Sequence, residues 1–402
     1  MSDGSERGAV VAGIGISRIG RKTGIPGIEL TVEAASAAIA DAGLRPEDID
    51  GVATLGDTPA SEVQRALGLR DEPVGLVPEG GLLAPVFGAF RAVTSGRMRH
   101  VLVYRTVLMQ GGAIVGAGGS VPERPSGEAP ASSGEGGGGN AMGEAMGASM
   151  GDMAPMLTYH AYSAANWLAM HARRHMHLYG TTKEQLGWLA VTSRAHAALN
   201  DLAVYRDPMT LDDYMHARPI TDPFGLLDCD VPVDGSIAAV ISFPDHAPDC
   251  PNGAVRAESI GTAAGAAPGW VHRPDYPKMA QVEAATEMWN TTDLGPGDVD
   301  VAELYDGFTF LTFGWLEALG FCGEGESGPF VEGGTDITFG GRLPLNTYGG
   351  QLSAGRMHGY WVFHEACLQL RGQGGARQVD GAEVAAVSIG GGPIAGCVLL
   401  TR

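Results

Sequence analysis

The feature that most constrains the fold is an internal repeat that spans a helix, a turn and a strand. Residues 32–55 read VEAASAAIADAGLRPEDIDGVATL, and residues 282–305 read VEAATEMWNTTDLGPGDVDVAELY. The two segments align without a gap, from an alanine-rich helix through a proline-containing turn and an Asp-x-Asp step to an apolar strand. Alanine-rich helices resemble one another by chance, but a match through three different elements indicates two similar halves.

The two copies differ where they end. The first copy continues into Gly56, whereas the second places Tyr305 and Asp306 just after its strand, followed by Gly307 and Phe308. Ligands of open α/β sheets bind outside the carboxyl ends of the strands. Tyr305 and Asp306 are therefore candidate catalytic residues added to one copy of a repeated scaffold.

Composition and charge narrow the class of protein. The chain has 402 residues, of which 44% are hydrophobic and only 18% are charged, which is typical of a large, well-buried α/β protein. A net charge of −20 argues against nucleic acid or an anionic membrane as partner. The five cysteines show no CxxC spacing, which predicts a reducing, cytoplasmic location and no zinc site. The start of the sequence is polar, which predicts no signal peptide, and no apolar run is long enough to predict a membrane span.

Apolar strands alternate with helices along both halves, which predicts a parallel sheet buried on both faces. The last two strands, Glu383–Ile389 and Gly396–Thr401, are joined by a short glycine-rich turn and are predicted to be antiparallel. Thr31 is predicted to cap a helix over Val32–Ala42, and a second long helix is predicted over Ala354–Arg371. Pro244–Gly253 is polar and rich in proline, so we expect it to link the halves. The predicted division is residues 1–250 and residues 251–402.

The segment Gly111–Asp152 breaks the alternation, because it consists largely of Gly, Ser, Ala, Pro and Met without periodicity. It can be a flexible insertion or a loop, at about residues 110–156, that covers an apolar ligand. In the second interpretation, adaptable methionines would contact that ligand: Met142, Met146, Met150, Met153 and Met156.

Several motifs together resemble the thiolase superfamily over nearly the whole chain. They are Arg218–Pro223 (RPITDP), Val233–Val240 (VDGSIAAV), Glu303–Phe308 (ELYDGF), Asn346–Gly350 (NTYGG), Gly355–Gly359 (GRMHG) and Ser388–Gly392 (SIGGG). The resemblance implies five layers, α-β-α-β-α, an active site between the halves, and a homodimer core.

The chain departs from the thiolase pattern at each catalytic position. The thiolase nucleophile, a cysteine, falls near Glu79–Leu82 (EGGL), and the second thiolase cysteine falls on Ser388. The family histidine of Gly-His-Pro falls on Arg356, and the histidine of His-Asp-x-Phe falls on Tyr305. Acyl transfer through a covalent enzyme intermediate needs a nucleophile, so a Claisen condensation is not expected here.

The replacements resemble the lipid-transfer-protein aldolases of steroid side-chain breakdown. That resemblance implies retro-aldol cleavage of a steroid β-hydroxyacyl-CoA to a 17-ketosteroid and propionyl-CoA. It also implies a small OB-fold partner bound in a heterotetramer, and no cofactor other than the coenzyme A carried by the substrate. The candidate catalytic residues are Tyr305, Asp306, Tyr348, Arg356 and His358.

The reaction needs a base for the hydroxyl proton, donors for the thioester enolate, and an acid that protonates its carbon. Backbone N–H groups of Gly390, Gly391 and Gly392 are candidate enolate donors, which can contribute about 3–4 kcal/mol each. We expect Tyr305 to be the base and Tyr348 the acid, or the reverse. An ordinary tyrosine pKa of about 10 makes the base role of Tyr305 depend on a nearby cation, which Arg356 or His358 could supply.

Three other interpretations remain open from the sequence. Asp306 can orient a neighbour or cap the following helix instead of contacting substrate. The whole chain can be a non-catalytic thiolase-like protein that binds acyl-CoA or lipid or scaffolds a partner, or another acyltransferase that uses Ser388 or Cys322 as its nucleophile.

Overall fold

The computed structural model describes residues 8–55, 58–70, 74–75, 77–109, 156, 158–161, 163–264, 270 and 272–402. Its strands are β1 Val10–Ile16, β2 Gly51–Thr54, β3 His100–Val107, β4 Pro219–Thr221, β5 Phe224–Gly225, β6 Gly235–Ser242, β7 Val255–Ala264, β8 Val301–Glu303, β9 Val384–Gly391 and β10 Ile394–Thr401. Its α-helices are α1 Gly27–Asp41, α2 Ala60–Leu67, α3 Ala84–Thr94, α4 Ala164–Tyr179, α5 Lys183–Ala197, α6 Leu211–Met215, α7 Gln281–Trp289, α8 Thr309–Ala318, α9 Ser327–Val331 and α10 Tyr360–Leu370.

Eight strands form one sheet, and their order mirrors the repeat. The order is β2-β3-β6-β1-β7-β10-β9-β8. Counted outward from the central β1–β7 pair, the first half runs β1, β6, β3, β2 and the second runs β7, β10, β9, β8. The strands that end the two copies of the repeat, β2 and β8, are therefore the two edges, and the prediction of two similar halves is confirmed.

Strand direction differs from the prediction. Only the two outermost pairs, β2–β3 and β8–β9, are parallel. The inner pairs, which involve β3, β6, β1, β7, β10 and β9, are antiparallel. The expected parallel sheet is wrong for the pairs β3–β6, β6–β1, β1–β7 and β7–β10, because alternation of strands and helices predicts burial of both faces but does not fix the direction of a strand added after a long connection. The antiparallel pairing predicted for the last two strands is confirmed by β9 and β10.

Helices cover both faces of the sheet, which explains why the strands are apolar throughout. Leu102 and Tyr104 of β3 pack in one cluster with α1, whereas Val101 and Val103 pack in the main core with α3. Helix α10 contacts strands of both halves, and its Phe363 meets Phe90 of α3 edge to face at 6.5 Å. Helix α7 packs on β7 and β10 as α1 packs on β1 and β6, so the repeated helix covers the inner strands of its own half.

The repeated helices lie unusually close to the innermost strands. A Cβ atom at Gly15 of β1 would overlap the carbonyl oxygen of Ala34 in α1, and one at Gly261 of β7 would overlap that of Ala284 in α7. Both contacts need glycine in the strand and small residues in the helix. The alanine-rich composition of the repeat is thus explained by equivalent helix–strand contacts in the two halves.

Two predicted helix starts are wrong. Helix α1 begins at Gly27 after Pro26, so Thr31 does not cap it; the Thr31 hydroxyl is buried inside the helix and donates to the Gly27 carbonyl at 2.7 Å. Helix α10 begins at Tyr360, because His358 and Gly359 have positive φ angles of 50° and 86°. The residues before them, Gly350–Ala354, form a single π turn.

Most of the methionine-rich segment lies outside the described residues, including Met142, Met146, Met150 and Met153. Met156 is described, and it is buried against Trp167 of α4. Among the helices that the structure describes, none is both long and apolar enough to cross a membrane.

Candidate active site

The carboxyl end of β8 is held by two side chains from other parts of the second half. The Leu304 N–H donates to Asn346 Oδ1 at 2.7 Å, and the Tyr305 N–H donates to Ser388 Oγ at 3.1 Å. These bonds tie the residues after β8 to the Asn346–Gly350 loop and to β9. Ser388 is fully buried and its hydroxyl oxygen accepts a backbone hydrogen bond, which is a structural use of that side chain.

Tyr305 lies at this strand end with 8% of its surface exposed. Its ring packs on Gly307, where a Cβ atom would come within 3.1 Å of the phenol oxygen. Burial raises the pKa of Tyr305 above its ordinary value, the Asp230 carboxylate adds to the rise, and Arg356 opposes it. The cation expected to activate Tyr305 as a base is therefore present, but its effect is smaller than that of burial, and the phenol keeps its proton at neutral pH.

Asp230 forms an ion pair with Arg356 beside Tyr305, with Oδ1 and Nη1 3.3 Å apart. Their side chains are 13% and 11% exposed. The Asp230 N–H donates to the Gly307 carbonyl at 3.2 Å, and the Arg356 N–H donates to the Val231 carbonyl at 2.7 Å. Burial raises the pKa of Asp230 to about 6, while the Arg356 guanidinium opposes that rise.

Asp306 is turned away from the surface and organises the π turn. It is fully buried, and its carboxylate accepts hydrogen bonds from the N–H groups of Gln351 at 2.9 Å and Leu352 at 3.5 Å. Burial raises the pKa of Asp306 to about 7, against these two hydrogen bonds. A Cβ atom at Gly350 would overlap Asp306 Oδ2, so the turn passes directly over this carboxylate. The geometry favours the orienting role over substrate contact.

Tyr348 projects from the Asn346–Gly350 loop into the protein. It is fully buried and stacks on Trp361 of α10, with ring centroids 5.2 Å apart and planes inclined by 24°. Its hydroxyl finds no hydrogen-bond partner within the described residues. Burial raises the pKa of Tyr348 well above its ordinary value, and the neighbouring carboxylates Asp306 and Glu303 add to the rise. A protonated phenol of this kind is suited to donating a proton or a hydrogen bond.

A buried polar network fixes the loop that carries Tyr348. Thr347 donates to Glu303 Oε1 through its backbone N–H at 3.1 Å and its hydroxyl at 2.6 Å. The Thr347 hydroxyl also lies 3.1 Å from Glu365 Oε1, and Arg377 donates to both oxygens of Glu365 at 3.0 Å. Burial and the adjacent Glu365 raise the pKa of Glu303 well above its ordinary value, so we infer that Glu303 is protonated.

His358 is buried with 2% of its surface exposed, and its Nδ1 accepts a hydrogen bond from Nη2 of Arg105 in β3 at 2.9 Å. Burial lowers the pKa of His358 well below its ordinary value, and the Arg105 and Arg356 charges act in the same direction. A guanidinium has no acceptor atom, so the neutral imidazole carries its proton on Nε2. His358 is thus a fixed N–H donor and not the cation that was expected to activate Tyr305.

Gly390, Gly391 and Gly392 form the turn between β9 and β10, all with positive φ. The Gly390 carbonyl accepts from Trp315 Nε1 at 3.0 Å, and the Gly392 carbonyl accepts from the Ala280 N–H at 2.9 Å. These bonds fix the turn two residues beyond Ser388. The role of their N–H groups toward a thioester oxygen stays a prediction.

The position of the thiolase nucleophile is next to the same hairpin and carries no thiol. Gly81 has a φ of 59°, and a Cβ atom there would come within 3.3 Å of Ile394 Cγ2 at the start of β10. Cys322, the alternative nucleophile, is partly buried, and burial raises the pKa of its thiol to about 12. In the parts of the chain that the structure describes, no group of three or more His, Cys, Asp and Glu side chains can hold a metal ion.

The fold and the lack of a cysteine in Glu79–Leu82, where the thiolase nucleophile falls, define the class: a thiolase-like protein without the thiolase cysteine. Residues 266–400 match the family model described as thiolase C-terminal domain-like. The chain is 34% identical over 408 residues, 97% of each chain, to the steroid side-chain-cleaving aldolase of Thermomonospora curvata. It is 35% identical to the 17-hydroxy-3-oxo-4-pregnene-20-carboxyl-CoA lyase of Mycobacterium tuberculosis, over 97% of this chain and 98% of the relative.

A solved structure described as the Ltp2-ChsH2(DUF35) aldolase is similar over 98% of each chain, with a TM-score of 0.83 and 31% sequence identity. The chain belongs to the thiolase-like family of steroid side-chain-cleaving aldolases, which are carbon–carbon lyases. The resemblance inferred from the motifs is confirmed, and the interpretation as an acyltransferase is not supported.

Sequence reasoning missed two charged residues of this site. Neither Asp230 nor Arg105 was among the candidate residues predicted from the sequence. The available signal was the run DCDVPVD at 228–234, in which three acidic residues precede a central strand. Acidic residues there are unusual unless they are paired or functional.

Proposed function

We propose that this chain cleaves a β-hydroxyacyl-CoA on a steroid side chain by a retro-aldol reaction, giving a 17-ketosteroid and propionyl-CoA. The observation that carries the proposal is the composition of the site. Tyr305, Asp230 and Arg356 keep some exposure at the carboxyl end of β8, in a fold that has no cysteine at Glu79–Leu82. Two relatives that match over nearly their full length are named as an aldolase and a CoA lyase.

The proposed step breaks one carbon–carbon bond and leaves no group on the protein. The hydroxyl proton is removed, the oxygen becomes the ring ketone, and the bonding electrons move to the α-carbon of the thioester as an enolate. An acid then protonates that carbon. In the proposal Tyr305 and Tyr348 contact the hydroxyl and the enolate, in either order. Because burial raises the pKa of both phenols, each is suited to donating a proton or a hydrogen bond, and the hydroxyl proton needs another acceptor.

The thioester enters as part of the substrate, so the proposal includes no cofactor beyond its coenzyme A. Backbone N–H groups of Gly390–Gly392 would stabilise the enolate oxygen, and Arg356 would supply positive charge nearby. An oxyanion donor of this type contributes about 3–4 kcal/mol to the transition state. Asp306 would hold the π turn in place through its hydrogen bond with the Gln351 N–H. His358 would act as a hydrogen-bond donor through its Nε2–H, because its Nδ1 accepts from Arg105.

The assembly and location are further parts of the proposal. We propose a homodimer core that binds a small OB-fold protein in a heterotetramer in the cytoplasm. A similar solved structure is described as an aldolase of two named components, Ltp2 and ChsH2(DUF35). The five cysteines of this chain are all free thiols, which fits a reducing compartment.

The test is product analysis with a steroid β-hydroxyacyl-CoA that bears a tertiary ring hydroxyl. The purified chain, alone and with an OB-fold partner, should release propionyl-CoA and the ring ketone in equal amounts. Tyr305→Phe should lower the rate strongly, whereas the matched control Tyr179→Phe, at an exposed tyrosine bonded to Glu324, should not. Intact binding of the CoA ester without cleavage, with partner present, would instead support a binding protein.

A further inference from the structure

The segment around Asp230 runs between the two loops that form the site. Asp230 donates its N–H to the Gly307 carbonyl, and Val231 donates its N–H to the Gln351 carbonyl at 2.9 Å. Gly307 is also the residue against which the Tyr305 ring packs. Asp230 is therefore fixed at both ends beside Tyr305, although 75 residues separate the two along the sequence.

The Asp230 carboxylate is the acidic group of this site that is free to meet a substrate. Its side chain is 13% exposed, and its ion pair with Arg356 uses Oδ1. Asp306, the other acidic residue beside Tyr305, is fully buried, and backbone N–H groups occupy both of its oxygens. The phenol of Tyr305 holds its proton at neutral pH, so it is a weak acceptor for the hydroxyl proton.

Resting on the proposed retro-aldol function, we propose that Asp230 is the general base and that Arg356 is the residue that positions it. The proton of the substrate's tertiary hydroxyl moves to the Asp230 carboxylate. The O–H electron pair forms the carbonyl π bond of the ring ketone, the carbon–carbon bond breaks, and its electrons become the thioester enolate. The enolate takes a proton at carbon, and Asp230 returns its proton to solvent, so no oxidant or cofactor is consumed.

The titratable and charged groups that interact with this carboxylate are Arg356, Tyr305, Asp306 and Cys229. Arg356 favours the charged form, while burial disfavours it, and the resulting pKa of Asp230 is about 6. A base must be deprotonated to act, so kcat/KM should fall as the pH drops below about 6.

The test compares Asp230→Asn with wild type in the complete assembly, using the steroid β-hydroxyacyl-CoA as probe. Asparagine keeps an oxygen for Arg356 but cannot take the proton, so kcat should fall about 10²- to 10⁴-fold with KM little changed. The acid limb of the pH profile should disappear. The matched control is Asp245→Asn, which removes the carboxylate of an exposed ion pair with Arg99 and should leave the rate and the profile unchanged.

A second variant keeps the result interpretable if Asp230→Asn disturbs folding. Asp230→Ala should regain part of its lost activity when formate is added, because a small carboxylate can enter the space and accept the proton. If wild type cleaves the substrate and Asp230→Asn is equally active, or if formate does not rescue Asp230→Ala, the assignment of Asp230 as the base is overturned while the proposed function stands. A wild-type complex that binds the CoA ester but forms no ketone overturns the proposed function, and the assignment falls with it.

Discussion

Replacing Glu303 and Glu365 separately by glutamine should have opposite effects on stability, although both carboxyls are buried in the same network. Arg377 donates to both oxygens of Glu365, so Glu365→Gln leaves a guanidinium that is only 14% exposed without its carboxylate. Removing one partner of a buried ion pair costs about 3–5 kcal/mol, and the partial exposure of Arg377 places the expected loss near 3 kcal/mol. The loop that carries Tyr348 should loosen with it.

Glu303→Gln should be close to neutral near pH 5 and stabilising at higher pH. A glutamine oxygen still accepts from the N–H and hydroxyl of Thr347, and no charge is lost if Glu303 is protonated. Because the pKa of Glu303 is raised in the folded state, folded wild type holds a proton on Glu303 at pH values above about 4.3, where the unfolded chain has lost it. Wild-type stability should therefore fall, relative to the variant, by up to about 1.4 kcal/mol for each pH unit until the folded pKa is reached.

The assay is the urea midpoint of wild type and both variants between about pH 5 and about pH 8. The expected result is a low midpoint for Glu365→Gln at every pH, and a Glu303→Gln midpoint that gains on wild type as the pH rises. Equal destabilisation by the two substitutions, or a Glu303→Gln midpoint that loses ground with rising pH, would show that Glu303 is ionised and that the network is wrongly assigned.

Two further substitutions test how the site is held. Gly350→Ala should destabilise the protein by at least the roughly 1–2 kcal/mol that a left-handed backbone costs an alanine. It should also lower activity, because the added Cβ overlaps Asp306 Oδ2. Thermal melting measures the loss of stability, and an unchanged melting temperature would contradict the close approach of Gly350 to Asp306. Arg371→Met should lower the free energy of unfolding by about 3–5 kcal/mol, because it leaves the Asp41 carboxylate without its guanidinium partner. The Arg371 side chain joins the end of α10 to α1 and to two carbonyls of β1. A urea midpoint equal to that of wild type would exclude this role.

The fold could be predicted largely from the repeat. A gapless match of helix, turn and strand predicted equivalent halves, and the mirrored strand order follows from it. Tyr305 and Asp306 could be predicted as candidates because only the second copy places a tyrosine and an aspartate directly at its strand end. The directions of the inner strands were not predictable from that pattern. A threonine before an apolar helix satisfies the local signal for a cap, so the sequence predicts a cap at Thr31 although the helix starts at Gly27.

The charged part of the site escaped prediction because tertiary structure assembles it. Asp230 reaches Tyr305 only through hydrogen bonds to Gly307 and Gln351, and Arg105 reaches His358 from a strand of the other half. No local pattern encodes these pairs. The direction of a pKa shift also depends on burial: Arg356 was expected to lower the pKa of Tyr305, and it does, but desolvation of the phenol outweighs it.

The most direct test of the central claim is to run the cleavage in D₂O and to analyse both the propionyl-CoA and the intact protein by mass spectrometry. An enolate that is protonated at carbon should give propionyl-CoA with one solvent deuterium on its α-carbon, and the chain should keep its unmodified mass. Propionyl-CoA without deuterium, or an acyl group attached to the chain during turnover, would contradict a retro-aldol mechanism at a site without a nucleophile.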